Sequence, residues 1–235
     1  MKPQIEKKIK TLARWLYESR YPVVFTGAGI STESGLPDFR GPDGVWTRRD
    51  KGLPPRAMST AWDAVEPNSG HYAIVELQKL DKLKFLISQN VDNLHLKSGI
   101  RPELLAELHG NMTKQRCTRC EQTYHFSAGL RECDCGGSLV SSVVDFGQSL
   151  PQKDLSLSFE HSRRCDLFMV VGSSLVVTPA ADMPREALAA GARLVIINQG
   201  ETPFDALAHL RFREKIGEVL PGAVRRLKRL MGLFE

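Results

Sequence analysis

Short apolar runs alternate with amphipathic stretches along most of this chain. Val23 to Thr26, Lys84 to Ser88, Leu104 to Leu108, Leu167 to Val171, Arg193 to Ile197 and Leu210 to Phe212 are mostly continuous apolar runs, the pattern of strands buried on both faces. Leu139 to Phe146 adds a run with β-branched residues. Helical spacing marks three other places: Ile5, Ile9, Leu12, Ala13 and Leu16 near the start; Ile74, Leu77 and Leu80 within His71 to Leu80; and Ala223, Leu227, Leu230, Met231 and Phe234 at the end. Each is an i, i+3/i+4 stripe, with charges opposite it at the two ends of the chain. Gly41 to Asn68 holds prolines and glycines with little period and is expected to be an irregular, mobile loop. Alternating strands and helices, with polar and glycine residues at the C-terminal ends of the strands, predict a doubly wound α/β fold. Its site should lie along that edge of an open parallel sheet.

The first strand delivers GAGISTESGLPDFRG, Gly27 to Gly41. An apolar run leading into Gly-x-Gly lets backbone amides approach a pyrophosphate at a helix N-terminus. Thr32 stands where a third glycine of GxGxxG would be, and no acidic residue ends a second strand about 20 residues on. The stretch is therefore a phosphate-binding turn but not a dehydrogenase fingerprint. Its polar continuation through Pro37-Asp38-Phe39-Arg40 is long enough to fold over a bound ligand.

Composition narrows the class. At 235 residues, 42% hydrophobic and 25% charged, the chain has the make-up of an ordinary globular protein with one main domain and room for a small satellite. No apolar run has the length of a membrane span, and MKPQIEKKIK lacks the apolar region of a signal peptide, so an intracellular protein is expected, cytoplasmic or, in a eukaryote, nuclear; the lack of long tails points to a compact monomer. The net charge of +5 divides into +4 over residues 1–20, +4 over 211–235 and −3 between. Solvated outer helix faces account for this; a nucleic-acid or acidic-protein surface is the alternative, weakened by the scarcity of aromatics among the charges.

Four of the five cysteines fall between positions 117 and 135. Cys117-x-x-Cys120 and, twelve residues later, Cys133-x-Cys135 supply four thiolates, enough for a closed tetrahedral Zn²⁺ site of structural type. The second pair is tighter than the usual zinc-ribbon spacing, and a redox or vestigial cysteine set is the alternative. The fifth, Cys165, reads as a small buried apolar residue.

GAGISTESGLPDFRG, SQNVDNLH, ELHGN, the paired cysteines, VVDFG, VGSSLVVTPA and LVIIN, in this order, resemble the sirtuin family of NAD-dependent protein deacylases over nearly the whole chain. The resemblance implies a Rossmann-like large domain from residues 1–40, 78–112 and 140–235, a loop and helical part of a small domain at 41–77, and an inserted zinc module at 113–139. It implies NAD as a consumed co-substrate beside a structural Zn²⁺, and acylated lysine proteins or peptides as partners. By resemblance, Gly27, Ala28, Gly29 and Ser31 approach the pyrophosphate, and Thr32, Phe39, Arg40 and Trp46 belong to the loop that closes over the cofactor. Gln89, Asn90, Asp92 and the backbone near Ile30 meet the ribose and nicotinamide. Gly172, Ser173, Ser174, Asn198 and Ile216 take the phosphates and adenosine.

In the family reaction the acyl oxygen displaces nicotinamide, and a histidine helps deprotonate a ribose hydroxyl that attacks the acyl carbon, giving free lysine and O-acyl-ADP-ribose. His109 matches that general base, a task suited to a pKa of about 6.5. His95 is expected to pack, and His71, His125, His161 and His209 to take surface or helix positions. Val143, Val144, Asp145, Phe146 and Gly147 match the strand that pairs with an extended peptide. Asp145 and Gln148 depart from the commoner VVFFGE form, and with GVWTRRDKGL the chain resembles a nuclear vertebrate branch with several acyl and ADP-ribosyl activities. No tyrosine lies between Trp46 and His71, so a dicarboxylic acyl group is not expected. A deacylase, a protein mono-ADP-ribosyltransferase on the same scaffold and a non-catalytic NAD-sensing or nucleic-acid-binding module are the three readings.

Overall fold

Alternation along the central strands decides the layering. In the computed structural model, which describes residues 3–41, 44–54, 62–145 and 147–233, strand β1 (Pro22–Thr26) is buried along its whole length. Val24 points into one core and Val23 and Phe25 into another, because successive side chains leave a strand on opposite faces. The same alternation recurs in β2 (Phe85–Ser88), β7 (Leu167–Val171) and β8 (Arg193–Ile197). A sheet apolar on both sides has to be covered on both sides. Helices α1 (Pro3–Glu18), α3 (Ser69–Lys79) and α7 (Ile216–Leu230) cover the face of Val24; α5 (Gln152–Arg164) and α6 (Met183–Ala189) cover the face of Phe25.

With β3 (Leu105–Glu107) and β9 (Leu210–Phe212), these strands form one sheet in the order β3-β2-β1-β7-β8-β9, parallel throughout. The chain steps outward from β1 to β3, then returns to the other side of β1 at β7. The reversal opens a crevice beyond the C-terminal ends of β1 and β7, where doubly wound sheets bind ligands. The α/β reading and its strand positions therefore hold to within a residue or two.

A second sheet carries the cysteines. Strands β4 (Lys114–Cys117), β5 (Thr123–His125) and β6 (Leu139–Ser141) pair antiparallel in the order β5-β4-β6. The run from Leu139 to Phe146 is thus split: β6 belongs to the cysteine module, Val143 to Asp145 lie in no strand, and Phe146 falls outside the described residues. Ser142 divides them. Its buried hydroxyl donates to the Asn111 carbonyl at 2.7 Å and accepts the Asn111 amide at 3.0 Å, drawing the chain back toward His109.

The expected irregular stretch includes a short helix, α2 (Val45–Asp50), too brief to leave a period in the sequence. α5 escapes notice for another reason, since its fully buried positions are Ser158 and Ser162. α7 has the expected amphipathic character, but its buried face is set by Ile216, Val219, Leu220, Ala223, Val224 and Leu227; Leu230 is exposed and Phe234 lies outside the described residues. The basic ends meet, because α1 packs on α7. Several of their charges are paired, Arg226 with Glu6 and Lys228 with Glu76. Among the described residues no helix is long and apolar enough to cross a membrane.

At the opposite edge of the sheet, Asp166 ties α1 to β1. Its carboxylate accepts the Ser19 hydroxyl and the amides of Arg20 (2.7 Å) and Tyr21 (3.0 Å). Desolvation pushes its pKa up, but the three hydrogen bonds outweigh it and hold the group below the usual carboxylate range. A depressed pKa contributes stability above the unfolded value of about 3.9, lost as the pH falls through the folded value. Asp166→Asn should lower stability at pH 7 by about 1 kcal/mol, a few degrees in Tm. In thermal melts across pH, that difference should close below about pH 4; a constant offset at all pH values would contradict the assignment.

Candidate functional site

Two glycine turns interlock where the strand order reverses. Gly29 donates its amide to the Gly172 carbonyl at 2.8 Å. A Cβ on Gly29 would lie 2.7 Å from the Gly172 Cα, and one on Gly172, whose φ is +68°, would lie 2.3 Å from the Ile30 nitrogen. Neither position tolerates a side chain, whatever ligand approaches. The glycines thus serve the mutual approach of two strand-end loops as well as any approach to a pyrophosphate.

From this junction the chain enters a 3₁₀ helix, Ala28–Ser34. Ser31 is buried on it and donates to Asp92 Oδ2 at 2.6 Å, while Asn90 Nδ2 donates to the Ser31 hydroxyl at 3.3 Å. Burial raises the pKa of Asp92, opposed by the bonds from Ser31 and the Leu94 amide. Gln89 Nε2 donates to the Ser173 hydroxyl at 2.8 Å, joining the ends of β2 and β7. Polar groups from three separate strands are thereby held in one network.

His109 sits two residues beyond β3. Its Nδ1 lies 2.9 Å from the Gln89 carbonyl. A carbonyl only accepts, so Nδ1 carries the proton and Nε2 keeps its lone pair. Burial lowers the pKa of the ring, and the bond to Gln89 works the other way. The neutral form therefore dominates at physiological pH, as a proton acceptor requires.

These groups line a cleft of about 680 Å³. The structure brings to its wall Gly27, Ala28, Gly29, Ser31, Phe39, Arg40, Trp46, Gln89, Asn90, Asp92, His109, Gly172, Ser173, Ser174 and Asn198, with Val143, Val144, Asp145 and Gly147. Three expected residues stay off it. Ile30 is buried in the core below, its carbonyl accepting from Asn68 Nδ2 at 2.8 Å. Thr32 is exposed and donates to the Gly29 carbonyl. Ile216 is buried at the start of α7. The loop above the cleft is pinned by the amides of Val45 and Trp46 bonding to the Asp38 and Phe39 carbonyls, and the rings of Phe39 and Trp46 stack at 6.3 Å.

Two supporting residues escape the sequence reading. Asn68 caps α3 with His71 in a reciprocal capping box and also donates to Ile30 and Ser34, fixing the 3₁₀ helix from behind. The Asn-x-x-His spacing was the available signal. Arg211 donates to the carbonyls of Asn198, Gly200 and Phe212 and to Asp205, holding the turn after β8; a lone arginine in a strand gives no such signal. His71 is in a helix as expected, yet fully buried, its pKa lowered to about 4 by desolvation. His95 is buried beside it, 5.1 Å between ring centres, with Nε2 2.9 Å from the Thr26 hydroxyl.

The four cysteines converge at one end of the module. Their sulfurs all lie within 4.8 Å of one another, with Cys117 to Cys135 and Cys120 to Cys133 each 3.5 Å apart. Four thiolates at about 2.3 Å from one ion would stand ~3.8 Å apart, so the set fits tetrahedral zinc. The four thiols are not shifted alike: Cys117 and Cys133 are lowered, whereas hydrogen bonds among the sulfurs raise Cys135 and Cys120. The Cys120 amide is foremost in drawing the Cys117 thiol down to about 6. A Cβ on Gly137 would sit 2.5 Å from the Cys117 sulfur, which accounts for a glycine in Cys133-x-Cys135-Gly-Gly. Such an ion would be structural, since four protein ligands leave no open position.

A parallel six-stranded sheet with its polar cleft at the switch point, and a four-cysteine module inserted beside it, define a dinucleotide-binding α/β domain with a small cysteine-rich satellite. Residues 52–179 match the Sir2 family. The chain is 42% identical over 254 residues to an NAD-dependent protein deacylase 2 of Archaeoglobus fulgidus, covering 96% of this chain and 98% of that protein. It is 44% identical over 234 residues to the NAD-dependent protein deacetylase SRT1 of Oryza sativa subsp. indica, covering 94% of this chain and 48% of that protein. The chain thus spans about half the length of the plant relative. Among solved structures, a Sir2 protein with a p53 peptide and NAD⁺ superposes with a TM-score of 0.75 at 34% identity, covering 96% of this chain and 99% of that one. Sir2Af2 bound to a myristoylated histone peptide gives 0.72 at 38%, covering 97% and 99%. The chain belongs to the Sir2 family.

The module buries few side chains, chiefly Gln115, Cys117 and Cys133, and has too little core to hold itself. Removing zinc from the metallated protein with a chelator should expose the amides of residues 114–141 to rapid hydrogen exchange while β1, β7 and β8 stay protected. Unchanged protection in the module after metal loss would rule out a structural ion there.

Proposed function

We propose that this chain is an NAD-dependent protein-lysine deacylase, converting an acyl-lysine, NAD⁺ and one water to free lysine, nicotinamide and O-acyl-ADP-ribose. The observation that carries the reading is the His109 geometry. An imidazole held in one tautomer by the Gln89 carbonyl keeps an accepting nitrogen, without a partner among the described residues, at a cleft that the strand-end loops of β1, β2, β7 and β8 also line.

The chain's own groups divide the work. The turns at Gly27 to Gly29 and Gly172 to Ser174, with Asn198, take the phosphates and adenosine of NAD. Buried Asn90 and half-buried Asp92 are suited to the ribose and nicotinamide amide, because Asp92 has a carboxylate with no cationic partner among the described residues. Phe39 and Trp46 exclude water from the reacting ribose. His109 Nε2 takes the proton of the ribose hydroxyl that attacks the acyl carbon, in the deprotonated state that burial favours. The wall of Val143 and Val144 faces the acyl-lysine, and the carbonyl of His109 anchors it by accepting the Val144 amide at 3.0 Å. Leu36, Pro37, Trp62, Leu150, Leu155 and Val177 supply apolar surface for an acyl chain longer than acetyl. The four cysteines would hold zinc, whose contribution is to fold the module next to this wall.

His109→Ala should reduce acyl-peptide-dependent nicotinamide release by at least about 100-fold. Nicotinamide release at the same rate with and without acyl-peptide, or ADP-ribose transfer to protein exceeding acyl removal by mass spectrometry, would replace this reading with another. A base acts deprotonated, so a lowered pKa keeps it active as the pH falls. The acidic limb of kcat/KM for the wild type should lie below about pH 6.5 and vanish with His109.

A further inference from the structure

One carboxylate on the peptide wall has no partner among the described residues. Asp145 is exposed and lines the cleft. Its backbone is fully used: the amide donates to Gln148 Oε1 at 3.0 Å and the carbonyl accepts the Gln148 amide at 3.1 Å. The turn therefore fixes where residue 145 stands without using its side chain. One residue earlier, Val144 is bonded to the carbonyl of His109, which sets this turn next to the reacting end of the cleft.

The other acidic groups of the cleft are occupied. Asp92 accepts from Ser31 and the Leu94 amide, and Asp38 accepts the Gly41 amide at 3.0 Å. Gln148 and Gln152, its polar neighbours on the wall, are neutral. Asp145 has no lysine, arginine or histidine within ion-pair distance among the described residues, and it contributes nothing visible to the fold. A charge presented on a substrate wall, with its backbone braced and its side chain unengaged, is positioned for the substrate.

We propose that Asp145 is a specificity-determining residue that selects acyl-lysine segments carrying a lysine or arginine within two residues of the acylated position. An extended peptide advances about 3.3 Å per residue. A cationic neighbour of the acyl-lysine is thus within reach of a carboxylate one residue beyond the bond to His109. Arg40, the cation of the opposite loop, is the competing partner, and pairing with it would make residue 145 indifferent to peptide charge. The inference rests on the deacylase reading of this cleft.

The test uses three acetyl-lysine peptides, identical but for arginine, alanine or glutamate on both sides of the acetyl-lysine. Dissociation constants and kcat/KM are measured on the wild type, Asp145→Asn and Asp145→Lys. Asparagine leaves the turn's backbone bonds in place, and thermal melts verify the fold. The wild type should prefer arginine over alanine over glutamate, with steps of up to about fivefold, as expected for exposed charge pairs, and the spread should shrink with added salt. Asp145→Asn should collapse the spread and Asp145→Lys should reverse it. The same order in the asparagine variant, or no spread in the wild type at low salt, overturns the inference. If no peptide is turned over, the deacylase reading fails, and the order of the dissociation constants still decides the role of Asp145.

Discussion

The contact on which this molecule turns is between two backbone loops. β1 and β7 are neighbours in the sheet, and the turns that leave them touch through Gly29 and Gly172 with no room for a Cβ on either. Once those turns are fixed, the rest of the site follows by short links. Ser173 meets Gln89, the Gln89 carbonyl meets His109, and Ser31 meets Asp92 and Asn90. A larger residue at either glycine would part the turns and break several hydrogen bonds at once.

The polar groups are costly to bury, and the structure meets that cost by pairing nearly all of them. Asp92, Asn90 and Ser31 satisfy one another, so the pocket floor is organised before any ligand arrives, in the manner of a preorganised electrostatic site. The buried pair His71 and His95 lies behind the same floor, each ring leaving one nitrogen without a partner among the described residues. Desolvation lowers the pKa of both. Two charged imidazoles 5.1 Å apart would repel strongly, so neutrality of this pair is part of what keeps Thr26 and Asn68 in place.

The two bodies of the chain are stabilised by different physics. The large sheet buries alternating apolar residues on both faces and needs no staple. The module of β4, β5 and β6 buries almost nothing and instead brings four sulfurs together. They join through Ser142 and Asn111, with Asn111 also bonded to Glu107 and Asn93 and Glu107 paired with Lys114. That junction carries the Val143 to Asp145 wall of the cleft, so the fold of the cysteine module and the shape of that wall are mechanically connected.

The strands, the parallel sheet, the glycine turn, the cysteine set and His109 were legible in the sequence, because each is a local pattern: a run, a period or a short motif. What the sequence did not carry depends on partners far along the chain. Ile30, in a matched block, and Ile216, matched singly, both turn their side chains to the core; which side of a backbone a residue faces is decided by the layer packed against it. Val143 to Asp145 read as strand by composition, but Ser142 hydrogen-bonds to Asn111, thirty-one residues away, and ends the strand early. Asn68, Arg211 and the tautomer of His109 act through bonds to distant carbonyls. Periodicity and motif spacing are set by neighbours in the chain and are fixed as soon as the chain is written; burial, tautomer and the place of Asp145 on the cleft wall are set by neighbours in space.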